Sequence, residues 1–375
     1  MNPINDLAAP RTGRARRLVP VRIRDLALLP AVVLLLIIGA IGNPDFLDRD
    51  NLVNILGASS ALGLLVLAEA MILISGRMDL SLESIAGLAP ALGFLVVIPA
   101  ASAGFGTEWP TWVGLLLIPL AGAGLGAVNG ALIVGLGLNG FIVTLAMNIV
   151  LRGVLIGLVS GKTLFDAPDA FFVLGSREWL GVPISVWVTA LCFALAGFVL
   201  RYHRLGRAVY AIGGSAPAAR AAGIRTARVG WTVLVVGGAL AGLAGLVIAG
   251  RVGAVGANQG SGLIFTVFAA AVIGGISLRG GRGSLLGALL GTLLLGMLGE
   301  PAHPRPGVVL LDPGDLRRDH PARTGRRTTD DRGGPGVIVL REMSPQMGRV
   351  RWPSPRESRR PKHMSPSTWP MRRRP

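Results

Sequence analysis

From residue 26 to residue 299 the chain alternates long apolar runs with short polar turns. About 20 mostly apolar residues in helical form cross the hydrocarbon core of a bilayer. Windows of this kind fall at about 26–41, 53–75, 83–101, 112–134, 140–160, 184–200, 230–250, 262–277 and 284–299. That makes about nine spans, and the predicted fold class is all-α, a polytopic transmembrane helix bundle. Several spans carry small residues four apart: Gly122, Gly126 and Gly130; Gly238 and Gly242; Gly283, Gly287 and Gly291. This spacing puts them on one helix face, where two backbones can approach closely.

Charge orients the bundle. Residues 201–230 hold six arginines (Arg201, Arg204, Arg207, Arg220, Arg225, Arg228) and no Asp or Glu. Cationic loops stay on the cytoplasmic side. A basic arm at 1–25 precedes the first span, so the N-terminus is expected inside. Counting spans from there also places the turn with Arg279 and Arg282 inside, and the net-acidic segment 43–51 outside. The net charge of +17 is therefore explained largely by topology, not by nucleic acid.

Composition agrees: only 15% of residues are charged and mean hydropathy is +0.59. The single cysteine, Cys192, excludes an internal disulfide and a cysteine-based metal site. It lies in an apolar run and reads as packing.

Beyond Glu300 the pattern breaks. Residues 301–375 hold 13 of the 25 prolines, three of the four histidines and 17 of the 37 Lys and Arg. Such a composition reads as disordered. After nine spans it would also lie outside, against the charge rule. Two readings stand: a reading frame shifted near residues 300–312, or a tolerated disordered tail. Translation of the other frames beyond Glu300 separates them.

Chemical motifs are few. Gly161, Lys162 and Thr163 imitate the end of a phosphate-binding loop, but the glycine required five positions earlier is Ile156. Gly135, Gly137 and Gly140 fit a dinucleotide-loop spacing without its strand–helix setting, and read as a turn or helix break. No His, Asp or Glu cluster suits a hydrolase or a metal. Neither a catalytic centre nor an ATP site is expected. Polar residues at membrane depth are more telling, because an ionisable group in a bilayer needs a partner or a water-filled path. Glu69, Asp79, Asn129 and Asn148 are the candidates, with Asn139 beside a span. Path lining and structural pairing weigh equally for Glu69. Asp79 with Ser81 is expected to pair or cap the following helix, with Arg77 its nearest ion partner. The asparagines read as interhelical hydrogen-bonding groups or as cargo contacts.

Four blocks carry a resemblance: ISGRMDLSLESIAGLAPAL (74–92), NGFIVTLAMNIVLRGV (139–154), LGRAVYAIGGSAPAARAAGI (205–224) and AAAVIGGISLRGGRGSLLGALLG (269–291). In order and spacing they resemble permease subunits of bacterial ABC importers for simple sugars, the ribose- and xylose-type family. The resemblance covers about residues 26–300. It departs at GGIDLS, where Arg77 and Met78 replace the second Gly and the Ile. The resemblance implies about ten spans with both ends in the cytoplasm. It implies that Gly206, Arg207, Tyr210, Gly213, Gly214, Ala218, Ala219, Gly223 and Ile224 form the surface that docks a separate ATP-binding subunit. It also implies a second permease subunit, an extracytoplasmic sugar-binding protein, and ATP with Mg2+ held by the partner, with no cofactor on this chain. The competing reading of that loop is a basic surface for anionic lipid headgroups.

The expected organisation is a basic cytoplasmic arm (1–25), a permease domain (26–300) with its docking loop at 201–229, and the tail (301–375). The expected function is the membrane-spanning, non-enzymatic subunit of a monosaccharide importer in the bacterial inner membrane. Alternatives are a branched-chain amino acid or nucleoside permease, an ion-coupled secondary transporter using Glu69 and Asp79, and a non-transporting scaffold.

Overall fold

The structure, a computed structural model, describes residue 26 and residues 28–299. The basic arm at 1–25 and the tail at 301–375, with the frame-shift reading that concerns it, lie outside the described residues.

Each expected span contains one apolar helix. Five are long and apolar enough to cross a membrane: α2 (Arg49–Ile74), α4 (Thr111–Gly130, extended to Gly135 by a π turn), α5 (Gly140–Val159), α7 (Ile184–Tyr202) and α10 (Thr226–Val252). Four are shorter: α1 (Leu29–Gly42), α3 (Leu82–Leu95), α11 (Leu263–Ile273) and α12 (Leu285–Gly299). The remaining helices are α6 (Val173–Ser176), α8 (Arg204–Gly214) and α9 (Ala216–Ala221). One hairpin, β1 (Glu178–Trp179) with β2 (Val182–Pro183), turns at Leu180 and Gly181, both at positive φ. Arg49 reaches the hairpin with the one ion pair among the described residues, to Glu178 at 3.4 Å.

α2 and α10 form the centre. α10 runs along α4, α2 and α3, while α12 packs on α2 and α11. Most of α2 is buried, whereas α4, α5 and α7 keep broad apolar faces open. The expected glycine faces make the contacts. A Cβ on Gly122 would strike the carbonyl oxygen of Gly238, and one on Gly238 would strike that of Gly122. Gly126 meets the Leu234 carbonyl in the same way. Gly287 and Gly291 press against the carbonyls of Gly274 and Ala270 on α11. Gly283 does not share that face: it lies in the turn before α12, at φ 144°, against Ile276.

Two expected spans are shorter than their apolar runs. The span at 83–101 ends as a helix at Leu95, because Pro99 cannot continue it and the chain turns through Ala100–Ser102. The span at 262–277 is helical only over Leu263–Ile273, where Gly274 and Gly275, the latter at φ 85°, stop it. At about 1.5 Å per residue, α3 and α11 rise only about 21 and 16 Å, short of the roughly 30 Å hydrocarbon core. The chain beside each fills the rest. Residues 75–81 climb back along α2. Residues 253–262 fold into the bundle until the Gln259 amide reaches the carbonyls of Ala86 and Gly245, at 2.9 and 3.0 Å.

Candidate functional site

α3 begins between two polar clusters. The first gathers three of the residues singled out from sequence. Asp79 accepts at one oxygen from the Ser81 backbone N–H (2.9 Å) and hydroxyl (2.6 Å). Its other oxygen accepts from the Asn129 amide of α4 at 3.0 Å. Asn129 also donates to the Ser81 hydroxyl at 2.8 Å. Glu69 of α2 accepts from the Asp79 N–H at 3.3 Å. Glu69, Asp79, Ser81 and Asn129 all have 0% exposure. The cluster thus ties α2, the start of α3 and α4 together, with none of its four side chains exposed. Glu69 Oε1 and Asn129 Oδ1 have no hydrogen-bond partner among the described residues.

The expected ion pair between Arg77 and Asp79 is absent. Asp79 turns inward to Ser81 and Asn129, while the Arg77 guanidinium lies over Gly230 of α10, where a Cβ would come within 2.5 Å of it. Ser81 precedes α3 but makes no side-chain cap to it.

The second cluster joins α3, α5 and the inserted loop. Asn148 donates to Glu83 Oε1 at 3.1 Å and accepts a short bond from the Ser84 hydroxyl. Glu83 Oε2 accepts from the Ile264 N–H at 3.0 Å, capping the start of α11. Arg152, one turn beyond Asn148, donates to the Gln259 carbonyl at 2.7 Å. Of these residues only Asn148 was singled out from sequence. Arg152 was legible too: it is a charge inside an expected span, four residues from Asn148. Glu83, a charge at the start of the expected span 83–101, was legible in the same way; Gln259 carried no signal, since only the fold brings the 253–262 loop to α3.

The Arg-rich loop forms the third feature. His203 caps α8 through Leu205 N–H (3.2 Å), and Ser215 caps α9 through Ala218 N–H (3.4 Å). The APAARA run, Ala216–Ala221, is helical. All six arginines of 201–230 are exposed. The nine candidate docking residues divide by exposure. Arg207, Gly214, Ala218 and Gly223 are exposed, and Tyr210, Gly213 and Ile224 half-buried. Gly206 and Ala219 are buried in the chain's own packing, so they shape the loop from behind.

Gly213 joins the loop to the bundle. A Cβ there would strike the Ile74 carbonyl and the Gly281 N–H. Those two groups hydrogen-bond each other at 2.9 Å. Tyr210 adds a bond to the Gly283 carbonyl at 2.9 Å. Gly76, Gly280 and Gly281, with φ of 78°, 80° and 69°, let the three turns meet backbone to backbone. α8 thereby packs against the end of α2 and the turn between α11 and α12.

The nucleotide-loop look-alikes are helix ends. Ser160 and Gly161 terminate α5 in left-handed conformation, and Asn139 caps its start through Phe141 and Ile142 N–H. No group of three or more metal-ligating side chains occurs among the described residues.

The family model described as branched-chain amino acid transport system / permease component matches residues 51–302. The chain belongs to this permease family. It is 30% identical over 272 residues to the ribose import permease protein RbsC of Haemophilus influenzae, covering 72% of this chain and 82% of that one. It is 32% identical over 276 residues to RbsC of Escherichia coli K12, covering 72% and 83%. With the L-arabinose ABC transporter permease protein AraH of Azospirillum brasilense it shares 33% over 253 residues, 68% and 72% of the two chains. No solved structure matches. The permease is thus a multi-pass inner-membrane transport subunit, and its role is not enzymatic.

Proposed function

We propose that the permease forms the translocation path of an ATP-driven importer for a monosaccharide. The cargo class rests on one observation: the chain is 30–33% identical to permeases named for ribose and L-arabinose. Although the matching family model is described for branched-chain amino acids, these relatives favour a sugar. A separate ATP-binding subunit holds ATP and Mg2+ and docks on the exposed face of α8 and α9, which lies in the cytoplasm with the N-terminus. A second copy of the permease completes the path, and an extracytoplasmic binding protein delivers the sugar. The six exposed arginines support a cytoplasmic position for the loop. The glycine contact at Gly213 supports a transmitting role.

Affinity purification of the tagged permease from its native membrane tests this. A P-loop ATPase should co-purify, and Gly214→Trp, placed where a Cβ meets nothing within 4 Å, should abolish its recovery. Recovery of intact wild-type permease without an ATPase would overturn the reading.

A further inference from the structure

α5 turns a largely apolar face away from the bundle: Ile142, Leu145, Ile149 and Val150 are 42–69% exposed. Asn148 and Arg152 stand at the edge of that face, both half-buried, one helical turn apart and near the middle of the 20-residue helix. A guanidinium at this depth is costly against lipid. Arg152 is only partly used inside the chain. It donates to the Gln259 carbonyl, while its Nη2, buried from solvent, has no hydrogen-bond partner among the described residues. Helices that start at mid-depth also meet here, α3 at Ser84 and α11 at Ile264. Discontinuous helices meeting near the midplane are a general mark of cargo sites in transporters.

We infer that Asn148 and Arg152, with Glu83 behind them, line a water-filled path and hydrogen-bond the hydroxyl groups of an uncharged polyol as it passes. The position on the path stands on the geometry alone; the cargo class rests on the function proposed above. Glu83 accepts one hydrogen bond at each carboxylate oxygen, from Asn148 and from the α11 backbone, and Arg152 Nη1 donates to the Gln259 carbonyl.

The test uses the whole importer in membrane vesicles, with Cys192→Ser removing the single native cysteine. Asn148→Cys, Arg152→Cys and Ile149→Cys are each exposed to a charged, membrane-impermeant methanethiosulfonate. Modification at 148 and 152 should be at least about tenfold faster than at 149, since a charged reagent enters water and not hydrocarbon. Equal or slower modification at both positions overturns the assignment. Should Arg152→Cys not fold, Asn148→Cys decides. For the cargo, uptake of D-ribose and L-arabinose is compared between the wild type and Arg152→Lys. A fall of about tenfold, a loss comparable to one hydrogen bond to a charged group, is expected with ATPase recovery unchanged. Unchanged uptake removes Arg152 from the cargo contacts. If the wild-type importer takes up neither pentose, the sugar reading fails, and thiol access still decides the path.

Discussion

The two polar clusters flanking the start of α3 differ in what they leave open. Glu69, Asp79, Ser81 and Asn129 are fully buried and bonded to one another. Asn148 and Arg152 are half-buried at the edge of the open face of α5, with Glu83 buried behind them. Both lie inside apolar runs and both contain ionisable side chains. An intramembrane charge therefore signals a partner or a path, and the face of its helix decides which. Where every neighbour is another helix of the same chain, as around Asp79, the charge holds the bundle together. Where the helix borders unoccupied surface, as at Arg152, the charge implies water beyond.

Asp79→Ala sharpens this contrast most. It strands the Ser81 N–H, the Ser81 hydroxyl and the Asn129 amide in a sealed site. Buried donors without partners cost about 1–3 kcal/mol each, so a loss of about 3 kcal/mol or more is expected. The thermal unfolding midpoint and the yield of monodisperse protein in detergent measure it. If Asp79→Ala unfolds like the wild type, the cluster is no clamp.

Gly213→Ala should have the next largest effect. The new methyl would collide with the Ile74 carbonyl and the Gly281 N–H, and overpacking of this kind costs about 1–3 kcal/mol. At Gly214 the same methyl meets nothing within 4 Å. Gly214→Ala should therefore leave the unfolding midpoint near the wild-type value. Equal midpoints for the two variants would mean that the backbone contact of α8 with the bundle contributes nothing.

Arg152→Met ranks third. It removes one hydrogen bond, to the Gln259 carbonyl, at a cost of about 1 kcal/mol, and its apolar stem still packs. Its unfolding midpoint should fall by less than half the drop seen for Asp79→Ala. A drop as large as that of Asp79→Ala would make Arg152 a structural tie and erase the distinction between the clusters.

How much of this was legible in the sequence depends on the range of the interactions involved. The helices were, because an apolar run long enough for a bilayer is a local signal, and each expected span contains one helix. The close-packing faces of α4 and α10 were also visible, since Gly122 with Gly126 and Gly238 with Gly242 announce them by spacing; that the two faces pair with each other was not. The truncation of α3 and α11 was masked: hydropathy stays high through Val96, Val97 and Ile276, although Pro99 and the Gly274–Gly275 pair mark the stops. The clamp was half legible. Its members stood out as polar groups at depth, but Arg77, the nearest cation in sequence, was the wrong partner. Asn129, 50 residues away, completes the site. The open cluster was the hardest to see, because Gln259 reaches α3 only through a loop whose inward fold has no sequence signature.

The smallest expected effect comes from Glu69→Gln, and it is the most diagnostic of the clamp. Glu69 meets Asp79 through a single bond, accepted from the Asp79 N–H at 3.3 Å, and glutamine's carbonyl can keep that bond. The substitution also removes one of two neighbouring acidic groups from a site where no ion pair with a cation occurs among the described residues. An unpaired buried charge is costly, so a neutral side chain of the same shape costs little in its place. The unfolding midpoint should stay the same or rise slightly, and ATP-dependent uptake should persist. An ion-coupled carrier would behave otherwise: with Glu69 as its ion ligand, Glu69→Gln would stop transport while leaving the fold intact. Loss of uptake in a stably folded Glu69→Gln permease would thus move this residue from the clamp to the path.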